Sequence, residues 1–195
     1  MGCGAGTFLK IAHRDGWPVC VGVDPNKNYS KIYKEAEGIQ HIQGTLEKLD
    51  EQNIGDNYDC ISMWSVLEHM NDPKNTVRRL SKVLAQGGIL LMLVPNLDSL
   101  ATRLMRDISP TFSWKHPNYF CKESLSFLMN VCGFETILME TAITEIDNIR
   151  NYMSFEWPYE SEKPHDKAFD IITPDWIHDN MLGSRLIGLF RRKSV

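Results

Sequence analysis

Residues 1–9 read Met1-Gly2-Cys3-Gly4-Ala5-Gly6-Thr7-Phe8-Leu9, with three glycines alternating through small residues ahead of an apolar stretch. Glycine reaches positive φ without a Cβ penalty and lets another molecule approach the backbone closely. A helix that follows such a loop offers unpaired N–H donors at its start. Leu9 and Ile11 to Ala12 predict a short helix that ends near Asp15-Gly16. Val19-Cys20-Val21-Gly22-Val23-Asp24 then reads as an apolar strand closed by an acid, with Pro25 next. Loop, helix, strand and terminal acid together make a nucleotide-binding half of an open α/β sheet. The acid at the strand end suits both hydroxyls of a ribose.

The spacing narrows the nucleotide. A dinucleotide loop wants two residues between its second and third glycines. Here Ala5 alone separates Gly4 from Gly6, and Thr7 stands where a third glycine would fall. Gly2-x-Gly4-x-Gly6 instead resembles the first motif of class I S-adenosylmethionine (SAM) dependent methyltransferases. Downstream segments resemble the same family in order. Residues 39–49 (IQHIQGTLEKL) are similar to its third strand and adenine turn, and residues 58–70 (YDCISMWSVLEHM) to its fourth strand and the loop beyond. Asn71-Asp72-Pro73 starts a helix through Thr76 to Leu84, with Val77, Leu80 and Leu84 on one side. Gln86-Gly87-Gly88 is expected to end that helix, and Ile89 to Val94 to form a fifth strand closed by Pro95-Asn96. His116-Pro117-Asn118-Tyr119-Phe120 precedes a helix through Ser124 to Val131, followed by Gly133-Phe134-Glu135.

The expected fold is α/β: a Rossmann-like, doubly wound, mostly parallel sheet in a single domain over residues 1–195. Strands are predicted near residues 19–24, 39–45, 58–63 and 89–94, alternating with helical patterns. The resemblance implies an antiparallel C-terminal pair, residues 135–141 and 185–192, with the last strand inserted between its neighbours. It also implies a central first strand ahead of the glycine loop, which this sequence lacks, so two strand edges are expected to stand unpaired. Two segments fall outside the common core. Residues 97–115 carry Met105, Phe112 and Trp114, and residues 146–182 carry Tyr152, Phe155, Trp157, Tyr159, Phe169 and Trp176. Both are candidate substrate caps, with a structural lid or a homodimer surface as the other uses of such aromatic surface.

Composition sets limits on partners. Net charge is −4, which gives a nucleic-acid backbone nothing to favour, and Arg191-Arg192-Lys193 reads as a solvated terminus. No apolar run approaches the roughly 20 residues that cross a bilayer. Cys3, Cys20, Cys60, Cys121 and Cys132 are odd in number and scattered, without zinc spacing, and read as reduced thiols in a cytoplasmic protein.

The resemblance assigns roles. Gly2, Gly4 and Gly6 would support the amino-acid end of SAM, and Asp24 its ribose. Thr45 and Leu46 stand in the adenine turn; many relatives carry an acid where Thr45 stands. Met63 and Trp64 would line the methionine portion. Glu68-His69 is similar to a pair that belongs, in ubiquinone-biosynthesis O-methyltransferases, to a site that can involve a divalent metal. That relative has a further acid three residues before the Glu, where this chain has Ser65. Magnesium needs oxygen ligands, so no required metal is expected. Methyl transfer from a sulfonium needs an aligned nucleophile, excluded water and, for a hydroxyl acceptor, a base. His116 and His69 are the candidate bases, and Tyr119 would orient His116 or bind substrate. Otherwise His116 is a loop histidine packed on Trp114 or Phe120. The function expected is a SAM-dependent methyltransferase acting on a small molecule, O-methylation favoured. A non-catalytic domain that kept the fold, or an NAD-dependent oxidoreductase, are the other classes.

Overall fold

The structure, a computed structural model, describes residues 1–29, 38–51, 54–153 and 171–194. Its first helix, α1 (Thr7–Arg14), starts from Gly6 in the left-handed conformation and leads to β1 (Cys20–Asp24). β2 (Ile39–Gln43) pairs with β1 in parallel. Next, β3 (Tyr58–Trp64) runs parallel to β4 (Leu84–Pro95), and helix α2 (Pro73–Val83) crosses between them. Four further elements follow: α3 (Leu100–Met105), α4 (Lys122–Val131), β5 (Phe134–Ala142) and α5 (Ile146–Met153). The described chain closes with α6 (Pro174–Asp179) and β6 (Arg185–Arg192). β6 lies antiparallel between β4 and β5, as expected for the C-terminal pair.

The strands form two sheets, β1-β2 and β3-β4-β6-β5. Between them lies an apolar cavity of about 270 Å3, walled by Phe8 and Leu9 of α1, Val21 and Val23 of β1, and Cys60 and Ile61 of β3. Residues 1–3 bridge the two sheets at one end. The Met1 ammonium donates to the Ser62 carbonyl (2.8 Å), and the Gly2 N–H donates to that of Val23 (2.8 Å).

Alternation builds the core. Ile61 and Met63 of β3, Leu90, Met92 and Val94 of β4, and Leu186 and Phe190 of β6 are buried at every second position. Against them pack Val77 and Leu80 of α2 and Leu125 and Met129 of α4. α2 starts where the sequence places it: the Asp72 carboxylate accepts from the Asn75 N–H (2.9 Å), and Pro73 stands at the first position. It ends earlier than expected. Leu84 is already extended and fully buried, so the strand begins there and not at Ile89. Gln86-Gly87-Gly88 is therefore a bulge within β4 and not a helix terminator, and the pairing jumps from Tyr58↔Leu84 to Cys60↔Ile89. A Cβ on Gly88 would come within 2.9 Å of the Ala85 carbonyl.

The basic cluster is solvated, as expected, with Arg191 and Lys193 exposed, yet each side chain has a partner. Arg191 Nη1 reaches Glu135 (3.3 Å), Arg192 Nη1 donates to the Leu84 carbonyl, and Lys193 Nζ donates to Asn130 (2.6 Å). The two candidate caps meet each other. Ala101 and Met105 of α3 pack with Ile149 of α5 in a second, smaller core. Tyr152, Phe155, Trp157, Tyr159 and Phe169 of the second cap lie outside the residues whose side chains are described, while Trp176 is 45% exposed. All five cysteines are free thiols. Among the described residues no helix is long and apolar enough to cross a membrane.

Candidate functional site

The site lies at the carboxyl ends of β1, β2, β3 and β4. Gly2, Gly4 and Gly6 all have positive φ (64°, 51° and 76°), as a tight loop feeding a helix requires. Asp24, 8% exposed, ties this loop to the end of β1. One carboxylate oxygen accepts from the Gly4 N–H (2.9 Å) and the other from the Asn26 N–H (2.9 Å). Each oxygen keeps a second lone-pair direction for a hydroxyl. The Gly44 N–H donates to the Asp24 carbonyl (3.1 Å), so the turn carrying Thr45 and Leu46 stands beside the same acid. Leu46 itself is buried in the main core, and its side chain packs there. Met63 is likewise fully enclosed in that core, whereas Trp64 is at the surface against Phe8 (ring centroids 5.3 Å apart). Period-2 alternation along β3 puts Met63 on the same core-facing side as Ile61.

Beyond Trp64 the chain turns sharply. Ser65 adopts φ +53°, a strained position for a residue with a side chain, while its N–H still donates to the Leu93 carbonyl (2.9 Å). Val66 then packs against the glycine loop: a Cβ on Gly2 would come within 2.4 Å of Val66 Cγ2. The 3-10 turn Leu67–His69 follows, and it drives Glu68 inward until only 1% of it is exposed.

Residues 109–120 close over this turn from the opposite side. Asn118 is the clasp. Its Nδ2 donates to the Met70 carbonyl (2.6 Å), and its N–H donates to the Glu68 carbonyl (3.3 Å). A buried hydroxyl chain stiffens the incoming segment, from Ser99 Oγ through Thr102 Oγ1 (2.8 Å) to Ser109 Oγ (3.4 Å). His116 therefore meets His69 edge-on, with ring centroids 4.9 Å apart. It packs on His69 and not on Trp114, which is 90% exposed.

Both rings are oriented alike. His69 Nδ1 contacts the Lys115 carbonyl (2.8 Å), and His116 Nδ1 contacts the Thr111 carbonyl (2.9 Å). A carbonyl only accepts, so each Nδ1 carries a proton, and Nε2 is the ring nitrogen left to face other groups. His69 Nε2 stands 4.0 Å from Glu68 Oε1. The second Glu68 oxygen is buried without a hydrogen-bond partner. Burial pushes the Glu68 carboxyl above its ordinary range, against the opposing pull of its backbone N–H, His69, His116 and Arg185. Tyr119 does not touch His116 through its hydroxyl; that group donates to the Ser113 carbonyl (3.3 Å), and its ring packs on Phe112 (5.4 Å). The site thus has two ends: the glycine loop with Asp24, and the Glu68–His69–His116 group, joined through Trp64, Ser65 and Val66.

Residues 1–138 match a family described as a methyltransferase domain. An uncharacterized protein of Methanocaldococcus jannaschii is 25% identical over 151 residues, covering 76% of this chain and 70% of that protein. A ubiquinone biosynthesis O-methyltransferase of Escherichia coli is 30% identical over 93 residues, covering 45% of this chain and only 38% of its own length. Among solved structures, a SAM-dependent methyltransferase of Thermotoga maritima superposes with a TM-score of 0.64 at 20% identity, over 100% of this chain and 80% of that one. One from Mesorhizobium loti gives 0.63 at 17% identity, over 98% and 88%. These two likenesses carry the fold.

Proposed function

The chain belongs to the methyltransferase-domain family, whose methyl donor is S-adenosylmethionine, and we propose that it methylates an oxygen of a small-molecule acceptor. One observation carries this reading. The imidazoles of His69 and His116 stand edge-on with ring centroids 4.9 Å apart, beyond the Trp64–Val66 turn from the glycine loop, each ring held through its Nδ1 by a backbone carbonyl. An amine acceptor needs only alignment as its free base. A hydroxyl acceptor also needs its proton withdrawn, and this pair is built for that. The partial similarity to a ubiquinone biosynthesis O-methyltransferase supports the same reading.

In it, Gly2, Gly4 and Gly6 hold the amino-acid end of the donor, Asp24 its ribose, and the turn at Thr45 and Leu46 its adenine. Met63 and Trp64 flank the methionine portion, Met63 as packing behind the strand end. His116 takes the acceptor proton, His69 steadies it, and Tyr119 with Phe112 forms the acceptor wall. The acceptor oxygen attacks the methyl carbon as the C–S bond breaks. The sulfonium becomes a neutral thioether and the proton leaves on imidazole. The five free thiols fit a cytoplasmic setting.

The test compares His116→Ala with the unaltered chain on a panel of phenols, alcohols and amines. Turnover on a hydroxyl acceptor should fall by about 10²–10⁴-fold while S-adenosylhomocysteine affinity holds. Parallel loss of both would make His116 a structural residue, and turnover confined to amines would end the O-methylation reading.

A further inference from the structure

The turn after β3 and the loop before α4 are fastened to each other around His69. The 3-10 turn uses two of its carbonyls for its own N–H groups: Val66 accepts from His69 (3.0 Å) and Leu67 from Met70 (3.2 Å). The carbonyls of Glu68 and Met70, on either side of His69, are left over, and Asn118 takes both. Its Nδ2 donates to Met70 (2.6 Å) and, more weakly, to Glu68 (3.5 Å), while its own N–H donates to Glu68 (3.3 Å). A return bond runs the other way, from His69 Nδ1 to the Lys115 carbonyl (2.8 Å). Residues 68–70 and 115–118 thus grip each other from both directions, with His69 in one segment and His116 in the other.

Asn118 is itself held from its far side. Two residues on, the Phe120 carbonyl accepts from the Leu97 N–H (2.8 Å), which fixes this segment to the end of β4. On the near side Pro117 alone separates Asn118 from His116. Proline locks its own φ and restricts the residue before it, so this link passes a displacement on instead of absorbing it.

We propose that Asn118 is the positioning residue of the imidazole pair. Through the two carbonyls it sets where His69 stands, and through Pro117 it sets where His116 stands. The proposal deepens the O-methylation reading and rests on it for the consequence to turnover, not for the geometry. An amide is the side chain this place asks for: Nδ2 offers two protons to two carbonyls, whereas a hydroxyl offers one and a carboxylate none. Without Nδ2, His69 keeps its return bond, but the carbonyl it reaches is no longer held opposite it.

Nitrogen-15 NMR of the full chain, assigned with His69→Ala and His116→Ala, reports which ring nitrogen carries the proton. It is recorded above about pH 8, where an ordinary histidine is neutral. In the unaltered chain both rings should show the Nδ1–H tautomer, and in Asn118→Ala both should become tautomeric mixtures. Turnover of catechol is the second readout, arranged as a double-mutant cycle. Asn118→Ala should lower kcat by about 10–10²-fold with S-adenosylhomocysteine affinity held, and by less than about twofold once His116 is replaced by alanine. A merely structural residue would lower turnover alike in both backgrounds. Asn118→Leu, which keeps the volume without the donor, replaces Asn118→Ala if that variant loses S-adenosylhomocysteine binding. Ring signals unchanged in a folded Asn118 variant, a full further loss in the His116→Ala background, or loss of binding by both variants overturns the proposal. The ring signals decide alone should catechol not be accepted. Full turnover by His116→Ala, with rings that respond to Asn118, ends the base reading and leaves the positioning standing.

Discussion

Gly2→Ala measures the junction between the two ends of the cleft. Two costs arise. Gly2 sits at φ +64°, where a Cβ costs about 1–2 kcal/mol. The new methyl would also fall 2.4 Å from Val66 Cγ2, on a β-branched side chain that is stiff at χ1. Overpacking of this kind adds about 1–3 kcal/mol. The loop has an escape: it can shift, giving up the bonds that the Gly2 and Cys3 N–H groups donate to the Val23 carbonyl. At up to about 1.5 kcal/mol each, these cap the loss near 3 kcal/mol. Gly4→Ala is the control. It has a similar φ of +51° but nothing within 4 Å of its Cβ, so it should lose only the backbone share. Urea unfolding of both variants, alone and combined with Val66→Ala, separates the terms. Val66→Ala should recover the difference between Gly2→Ala and Gly4→Ala. Equal losses for the two glycines, or no recovery, would refute the Val66 contact and with it the coupling of glycine loop to Glu68 turn.

Asp24→Asn keeps the shape but can turn an N–H2 toward the Gly4 or Asn26 N–H, so calorimetric S-adenosylhomocysteine affinity should fall at least about tenfold, or about 1.4 kcal/mol; unchanged affinity would remove Asp24 from the cofactor site. Ile149→Ala empties a fully buried position in the smaller core and should cost about 2–5 kcal/mol there. Hydrogen exchange should rise across α3 while β4 stays protected, and uniform acceleration would show the caps to be integral to the main core. Burial holds the Cys20, Cys60 and Cys132 thiols above their ordinary pKa, so less of each is thiolate at neutral pH. Mass-spectrometric mapping should find them alkylated slowly, speeding up as pH rises past the usual thiol range; fast labelling at pH 7 would contradict their burial.

Much of the glycine-loop end was legible because it is local. Alternating glycines, a following helix and an acid at a strand end are all short-range patterns, and Asp24 meets Gly4 as that pattern implies. The end of α2 was misplaced for a tertiary reason: Leu84 is drawn into the core as an extended residue before any glycine breaks the helix. The Glu68–His69–His116 end was only half legible. His69 and His116 were each identifiable, but their meeting depends on the Asn118 clasp and on the Ser99–Thr102–Ser109 hydroxyl chain, neither of which leaves a periodic trace. Burial of Glu68 has no sequence signal either, since charged residues in turns are ordinarily solvated.

The insertion of β6 between β4 and β5 sets an order of events during synthesis. β6 leaves the ribosome after every other described strand, yet it is the hydrogen-bonding partner of both neighbours. Until then β5 has no strand to pair with, and one edge of β4 stays bare, its backbone N–H and C=O groups unpaired. The helices and parallel pairs can assemble as the chain emerges, but the segment after β4 stays unfastened, because Asn96 at the end of β4 is anchored by the carbonyls of Met181 and Gly183. Nascent chains stalled before residue 181 should therefore be the form that chaperones hold and that aggregates.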